Sequence, residues 1–167
     1  LMEKYLKPSQ EKFMLDINPE QEKHKIVEFL RQVFEEQKKE SVVIGISGGI
    51  DSMTSLYLLS EILPVNQIYI SHLHYFEPKI SPSESFIKNK KIPDENIHFV
   101  SIKNIVDEVI KTQKIDKSDN IRIGNIAARV RMIILFDLAK KNKALVCGTE
   151  NKSENLLGYF TRYGDQA

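Results

Sequence analysis

The chain has 167 residues, of which 24 are basic and 23 acidic, so its net charge is +1, and 41% of its residues are hydrophobic. These values predict one globular domain with a substantial core, and they give no reason to expect a nucleic acid or an anionic membrane surface as partner. Cys147 is the only cysteine, which excludes an internal disulfide. Because no signal peptide or transmembrane segment is recognisable, we expect a cytoplasmic protein.

The first regular element is predicted to begin at Asn18. Apolar residues follow no clear period in residues 1–17. We interpret this stretch as an amino-terminal extension to a domain that spans residues 18–167. Asn18 is a good helix N-cap and Pro19 suits the first helical position. A helix is therefore expected to run to about Lys39.

The stretch from Val42 to Leu63 has the pattern of a strand, a phosphate-binding loop and a helix. Its first five residues, VVIGI, read as a buried parallel strand, and the adjacent Gly48 and Gly49 then allow backbone angles that side chains forbid. The helix is expected to start at about Ser52. Its amino end would direct free N–H groups and a positive dipole toward a bound pyrophosphate. The predicted apolar stripe of this helix consists of Leu56, Leu59 and Leu63.

Asp51 is the most informative residue of the loop. A carboxylate beside a phosphate site repels the ligand unless a divalent cation lies between them, and Mg²⁺ prefers such oxygen ligands. The loop therefore predicts a nucleotide that binds with a metal. The alternative is that Asp51 caps an ordinary helix within a glycine-rich turn.

The remaining chain alternates strands with helices. A loop is expected through Pro78 and Pro82. The predicted strands are Gln67–Leu73, Asn96–Ile102 and Ala144–Cys147, and the predicted helices are Ser83–Lys90, Asn104–Lys111 and a long one that opens at Gly124-Asn125 and runs to about Lys141. This alternation predicts an α/β fold, a doubly wound parallel sheet with helices on both faces and strand order 3-2-1-4.

That strand order would bring two polar loops together. Ligands bind outside the carboxyl ends of parallel strands where the chain reverses direction, which here lies between strands 1 and 4. Strand 1 is followed by SGGIDS and strand 4 by GTENKSE. Glu154 could be a second ligand to the metal at Asp51, and Thr149 offers a hydroxyl to a nucleotide; alternatively, Glu154 only stabilises a helix start.

Two further segments carry cations. Arg129 is expected near the amino end of the long helix, one turn after Asn125, and on a buried side of this apolar segment. A buried guanidinium needs a partner, which could be a ligand anion or a structural salt bridge. Arg162 lies in the segment Gly158–Asp165, which contains three aromatic residues between glycines. Such a segment suits stacking on flat rings, or equally the packing of a core loop.

The segments GISGGIDS, GNIAARVRM, GTENKSE and GYFTRYGD, in this order, closely resemble those of the NAD synthetases, a family of N-type ATP pyrophosphatases. The resemblance covers roughly residues 18–167. SGGIDS alone would also fit GMP synthetases, asparagine synthetases and tRNA-modifying relatives. The later segments are much more specific.

The resemblance implies a carbon–nitrogen ligase with an adenine nucleotide alpha hydrolase-like, Rossmann-like fold. ATP would adenylate deamido-NAD⁺, and ammonia would displace AMP to give NAD⁺. Asp51 and Glu154 would bind Mg²⁺ and act in catalysis through it, and Arg129 and Arg162 would bind deamido-NAD⁺. The family also suggests a homodimer. The implied ATP-binding residues are Gly45, Ile46, Ser47, Gly48, Gly49, Ile50, Asp51, Ser52 and Thr149.

The chain departs from the family in two places. Many relatives have a Leu-Pro turn near the adenine after strand 2, whereas this chain has His72-Leu73-His74-Tyr75-Phe76, so adenine contacts cannot be carried over. His72 and His74 would face the same side of a strand, but no third ligand at metal spacing predicts a zinc site. Relatives also continue beyond the position of Ala167, so the domain is expected to be incomplete at its carboxyl end. The alternative function is a nucleotide-binding relative without catalysis.

Overall fold

The computed structural model describes residues 17–76 and 83–165, with the side chains of residues 83–86 excepted. The predicted extension, apart from Ile17, and the predicted loop through Pro78 and Pro82 lie outside these residues.

Four parallel strands form one sheet in the order β3-β2-β1-β4, as the sequence predicted. The strands are β1 (Val42–Gly45), β2 (Ile68–His74), β3 (Ile97–Ser101) and β4 (Leu145–Cys147). The helices are α1 (Pro19–Gln37), α2 (Ile50–Leu59), α3 (Ser83–Lys90), α4 (Lys103–Thr112), α5 (Asn120–Lys141) and α6 (Lys152–Leu157).

The core is divided between the two faces of the sheet. Val42 and Ile44 of β1 point to one face and Val43 points to the other, because successive strand side chains alternate. The first face packs against α1, α2 and α3, and the second against α4 and α5. The doubly wound arrangement with helices on both faces is therefore confirmed.

Helix α1 begins where the sequence predicted. The Asn18 Oδ1 atom accepts hydrogen bonds from the N–H groups of Glu20 and Gln21, at 3.1 and 3.2 Å. The helix ends at Gln37, two residues before the predicted end, because Lys38 adopts a left-handed conformation with φ of 50°.

The prediction for α2 was wrong at both ends. The helix begins at Ile50, because Gly49 with its extended backbone is the N-cap, so Asp51 lies in the first turn. It ends at Leu59, where the N–H groups of Ile62 and Leu63 both donate to the Leu59 carbonyl oxygen and tighten the chain. Leu63 therefore lies beyond the helix, although it still packs against the core.

The long helix α5 starts five residues before the predicted Asn125. Asp119 caps it, since its Oδ1 atom accepts a hydrogen bond of 3.1 Å from the Arg122 N–H group. Gly124 is thus inside the helix and does not open it. As a consequence, Arg129 lies in the third turn of the helix, and its predicted place near the amino end was wrong.

Candidate functional site

A crevice of about 1200 Å³ lies at the carboxyl edge of the sheet. Its walls include the residues that follow β1 and those that follow β4, since these two strands are neighbours. The chain reverses direction between them, and both polar loops therefore open into one space.

The loop after β1 is folded by its own serines. Gly48 has φ of 86°, a conformation that favours glycine. The Gly49 N–H group donates to Ser47 Oγ at 3.2 Å, and the Ser52 hydroxyl donates to the Gly49 carbonyl oxygen at 3.1 Å. The loop leads directly into α2, whose first N–H groups have no acceptor within the helix. This arrangement is suited to an anion.

Most of the predicted ATP-binding residues line the crevice. Ile50 does not, and its side chain is 77% exposed. Thr149, which follows β4, lines the crevice and is half-buried. The predicted residues that line the crevice are Gly45, Ile46, Ser47, Gly48, Gly49, Asp51, Ser52, Thr149 and Glu154.

Asp51 and Glu154 both line the crevice, but their carboxylates differ in hydrogen bonding. The Asp51 side chain is exposed, and it makes no hydrogen bond or ion pair with the residues described. The Glu154 Oε2 atom accepts a hydrogen bond of 3.0 Å from the Asn151 N–H group, and Asn151 Oδ1 accepts one of 2.9 Å from the Glu154 N–H group. Glu154 therefore caps α6, which leaves its Oε1 atom for another partner.

The carboxylates fit a magnesium ion only in combination with a ligand. Among the described residues no group of three or more His, Cys, Asp or Glu side chains could hold a metal by itself. Mg²⁺ usually binds to one or two carboxylates and completes its shell with water and substrate phosphates. Asp51, on the first turn of α2, and Glu154 suit that mode, in which the phosphates would supply the remaining oxygens.

Arg129 and Arg162 contact each other, but neither lines the crevice. The Arg129 Nε atom donates to the backbone oxygen of Arg162 at 3.2 Å. Both side chains are exposed. The expectation that Arg129 lies on a buried side was wrong, because its position on α5 faces away from the sheet. The structure also shows no salt bridge of Arg129 within its described residues, so that alternative is not supported.

The segment with Arg162 is fixed against α5. The Thr161 hydroxyl donates to Asn125 Oδ1 at 2.8 Å, and the Thr161 N–H group donates to Asp165 Oδ2 at 2.6 Å. Gly164 lies so close to the helix that a Cβ atom there would be 2.9 Å from the Ala128 Cβ atom. Only glycine fits this contact, which holds the segment against α5 as part of the crevice lining.

Sequence reasoning assigned no role to several polar residues of the crevice. Four buried side-chain atoms lack a hydrogen-bond partner in the described part of the chain, and three of them belong to residues that line the crevice. These three atoms are Ser71 Oγ, His74 Nδ1 and Glu150 Oε1. Arg131, which the sequence placed in the same segment as Arg129, also lines it. For Ser71, only the alternation of side chains along β2 could have predicted a position in the crevice. No sequence pattern showed that Arg131, and not Arg129, would line it.

The two histidines of β2 face the same side, as predicted. Their rings stack with centroids 6.0 Å apart, and the His72 ring lies 5.7 Å from that of Phe99 on β3. His72 Nδ1 is 2.9 Å from the Ile46 carbonyl oxygen, which ties the end of β2 to the loop after β1. The rings of His72, His74 and Phe99 therefore form one continuous surface at this end of the sheet.

Comparisons with known proteins agree with the fold and the motifs. Residues 22–167 match the family model of NAD synthase. The NH₃-dependent NAD⁺ synthetase of Fusobacterium nucleatum is 37% identical over 92% of this chain and 58% of its own length, and that of Sulfurisphaera tokodaii is 44% identical over 84% and 50%. The chain thus spans about half the length of these curated relatives.

Solved structures show the same architecture. The NH₃-dependent NAD synthetase of Campylobacter jejuni superposes with a TM-score of 0.80 at 29% identity, over 90% of this chain and 65% of that one. An NMN synthetase of Francisella tularensis has a TM-score of 0.79 at 28% identity, over 91% and 63%. No helix in the described ranges is both long and apolar enough to cross a membrane.

Proposed function

The chain belongs to the NAD synthase family, and from this premise we propose that it takes part in the ATP-dependent amidation of deamido-NAD⁺ with ammonia. The observation that carries the proposal is the shared crevice, into which the loop after β1 and the loop after β4 both open. NH₃-dependent NAD⁺ synthetases with 37 and 44% identity support it.

The reaction has two displacements. A carboxylate oxygen of deamido-NAD⁺ attacks the α-phosphorus of ATP, and pyrophosphate leaves. Ammonia then attacks the acyl carbon of the adenylate, the bond to AMP breaks, and the nitrogen loses a proton to give the amide of NAD⁺. Neither step needs a nucleophile from the protein, so catalysis depends on positioning and on stabilising the charge of the leaving groups.

In this proposal the ATP phosphates bind at the amino end of α2. The free N–H groups of the loop and of the first helical turn donate to phosphate oxygens, and the helix dipole favours their charge. Thr149 contacts the nucleotide from the loop after β4. Asp51 and Glu154 would hold Mg²⁺, which when bound neutralises charge on the departing pyrophosphate.

The acid substrate is proposed to bind near Arg129 and Arg162, at the mouth of the crevice. Their position outside the crevice is compatible with a long ligand that extends beyond it, or with a site completed by a second subunit. We propose a homodimer, which the exposed apolar side chains Ile133 and Tyr163 near these arginines support, at 68 and 72% exposure. A cytoplasmic location and small-molecule partners, without nucleic acid, complete the proposal.

The test is release of pyrophosphate from Mg·ATP by the purified 167-residue chain, with and without deamido-NAD⁺. We expect the chain to bind Mg·ATP and any release of pyrophosphate to depend on the acid, while NAD⁺ formation with ammonia is expected to be weak. Nicotinate mononucleotide serves as a second acid, because an NMN synthetase has the same fold. Tight binding of Mg·ATP without any release would favour the alternative, a non-catalytic nucleotide-binding relative.

Free ammonia is the proposed nitrogen donor. The measurement compares NAD⁺ formation with ammonium chloride and with glutamine that has been freed of ammonia. Turnover by the chain with glutamine alone would contradict the proposal.

A further inference from the structure

Ser71 is a buried hydroxyl in the wall of the crevice. It lies on β2 and pairs with Gly45, the last residue of β1 before the phosphate loop. Its side chain is only 1% exposed, and its Oγ atom has no hydrogen-bond partner among the residues that the structure describes. A buried hydroxyl without a partner destabilises the ligand-free protein. Such a group is expected where a ligand supplies the missing partner.

Arg131 approaches the same wall from α5. Its Nε atom donates to the Leu73 carbonyl oxygen at 3.0 Å, which fixes the guanidinium beside the end of β2. Arg131 therefore bonds to the backbone of the residue that lies two positions, or about 7 Å, after Ser71 on the same strand. Both Arg131 and Ser71 line the crevice on the side of the sheet that α5 covers.

The guanidinium of Arg131 has no ion pair within the described part of the chain. Its terminal nitrogen atoms have no hydrogen-bond partner there either. Burial lowers the pKa of Arg131, while the negative charge of Asp165 acts in the opposite direction. A partly desolvated cation with free donors is costly unless an anion binds to it.

Arg129 provides the contrast. It lies two residues earlier on the same helix, is exposed, and does not line the crevice. Consecutive helical residues are rotated by about 100°, so side chains two positions apart point in nearly opposite directions. The arginine that faces the crevice is therefore Arg131.

We propose that the Arg131 guanidinium and the Ser71 hydroxyl form an oxyanion-binding subsite beside the phosphate loop. Two free terminal nitrogens suit two oxygens of one carboxylate or phosphate, and the hydroxyl donates a further hydrogen bond. For the identity of the ligand this inference rests on the proposed function, which offers two sources: a phosphate of ATP and the carboxylate of deamido-NAD⁺.

The experiment measures dissociation constants by calorimetry for four probes on the 167-residue chain: inorganic pyrophosphate, Mg·ATP, deamido-NAD⁺ and NAD⁺. The variants are Arg131→Gln, Arg131→Lys and Ser71→Ala. Arg122→Gln is the matched control, since Arg122 is an exposed arginine on the same helix. Deamido-NAD⁺ has a carboxylate where NAD⁺ has an amide and is otherwise identical. The difference between their dissociation constants therefore reports the contribution of the carboxylate.

We expect Arg131→Gln to weaken at least one anionic probe about tenfold or more, as for the loss of a hydrogen bond to a charged group. If the variant binds pyrophosphate and ATP more weakly, the ligand of the subsite is a phosphate. If it binds deamido-NAD⁺ more weakly and NAD⁺ as before, the ligand is the carboxylate. Arg131→Lys should recover part of the affinity. Ser71→Ala should weaken the same probe less, and it should not lower the melting temperature.

Two results would overturn the inference. If the wild-type chain binds a probe and folded Arg131→Gln binds every probe equally well, Arg131 only anchors β2 through Leu73. If the wild-type chain binds none of the probes, both the subsite and the proposed function fail. Failure of the subsite alone is therefore distinguishable from failure of the proposed function. A Ser71→Ala variant that is less stable and binds all ligands normally would assign Ser71 to packing.

Discussion

Asn151 and Glu154 cap the last helix reciprocally: each side chain accepts a hydrogen bond from the backbone N–H group of the other, at 2.9 and 3.0 Å. The sequence left two roles open for Glu154, a metal ligand and a helix cap. The structure shows the cap, but this bond uses only one carboxylate oxygen. Both roles are therefore compatible in one side chain.

Glu154→Gln is expected to separate these roles. Glutamine can still accept the Asn151 N–H bond, since the capping box permits either residue, so the melting temperature should change little. The loss of charge should raise the Mg²⁺ concentration needed for ATP binding. A magnesium titration by calorimetry at fixed ATP measures this, and an unchanged titration would leave Glu154 with the capping role alone.

Asp51→Asn should preserve the fold and abolish Mg·ATP-dependent pyrophosphate release. The Asp51 side chain is exposed and has no partner among the described residues, so packing does not depend on its charge. The readouts are circular dichroism and pyrophosphate release. Ser55→Ala, one turn later on α2, is the control for a substitution in this helix that removes no charge. Release at the wild-type rate by Asp51→Asn would remove the metal from the proposed mechanism.

Arg129→Ala should weaken deamido-NAD⁺ far more than ATP, by about 1.5 to 3 kcal/mol if a hydrogen bond to a charged group is lost. Because Arg129 is exposed and its side chain hydrogen-bonds only to the Arg162 backbone among the described residues, stability should change little. Calorimetry with both ligands gives the comparison, and Arg122→Ala is the matched control. Equal losses for the two ligands would speak against a specific site for the acid.

Gly164→Ala should displace the segment that carries Arg162. The added Cβ atom would be 2.9 Å from both Ala128 Cβ and Thr161 Cγ2, and 3.1 Å from the Arg129 backbone nitrogen, so the segment must move. We expect a lower melting temperature and weaker binding of deamido-NAD⁺.

The matched control for that change is Gly124→Ala. A Cβ atom at Gly124 would have no neighbour within 4 Å, and the residue lies inside α5. Alanine should stabilise the helix there by about 1 kcal/mol. The two alanine substitutions should therefore shift the melting temperature in opposite directions, and equal shifts would show that the contact at Gly164 is not tight.

Cys147 should react slowly with iodoacetamide at neutral pH. Burial raises the pKa of its thiol from about 9 to about 11, so the reactive thiolate is scarce below that pH. The alkylation rate of the folded chain should keep rising up to about pH 11, whereas the rate of the chain in denaturant should level off about two units lower. Coincident profiles would mean that the thiol is exposed to solvent.

The sequence by itself determined the order of elements and which two loops open into the crevice. Apolar runs that alternate with helical segments specify buried strands, and Gly48-Gly49 with Asp51 predict an anion-binding loop, because these are local consequences of backbone freedom and charge. The parallel order with β1 beside β4 then followed from the alternation of strands and helices. The exact helix ends did not follow, since the cap at Asp119 and the early end at Leu59 depend on individual hydrogen bonds.

Only the tertiary structure decided which side chains face the crevice. Arg129 and Arg131 have the same chemistry and nearly the same sequence position, and the rotation of α5 against the sheet places the second, not the first, on the inner side. The burial of Ser71 likewise depends on the neighbouring strand and on α5 above it. Orientation of this kind arises from the packing of distant segments, which no local pattern in the chain encodes.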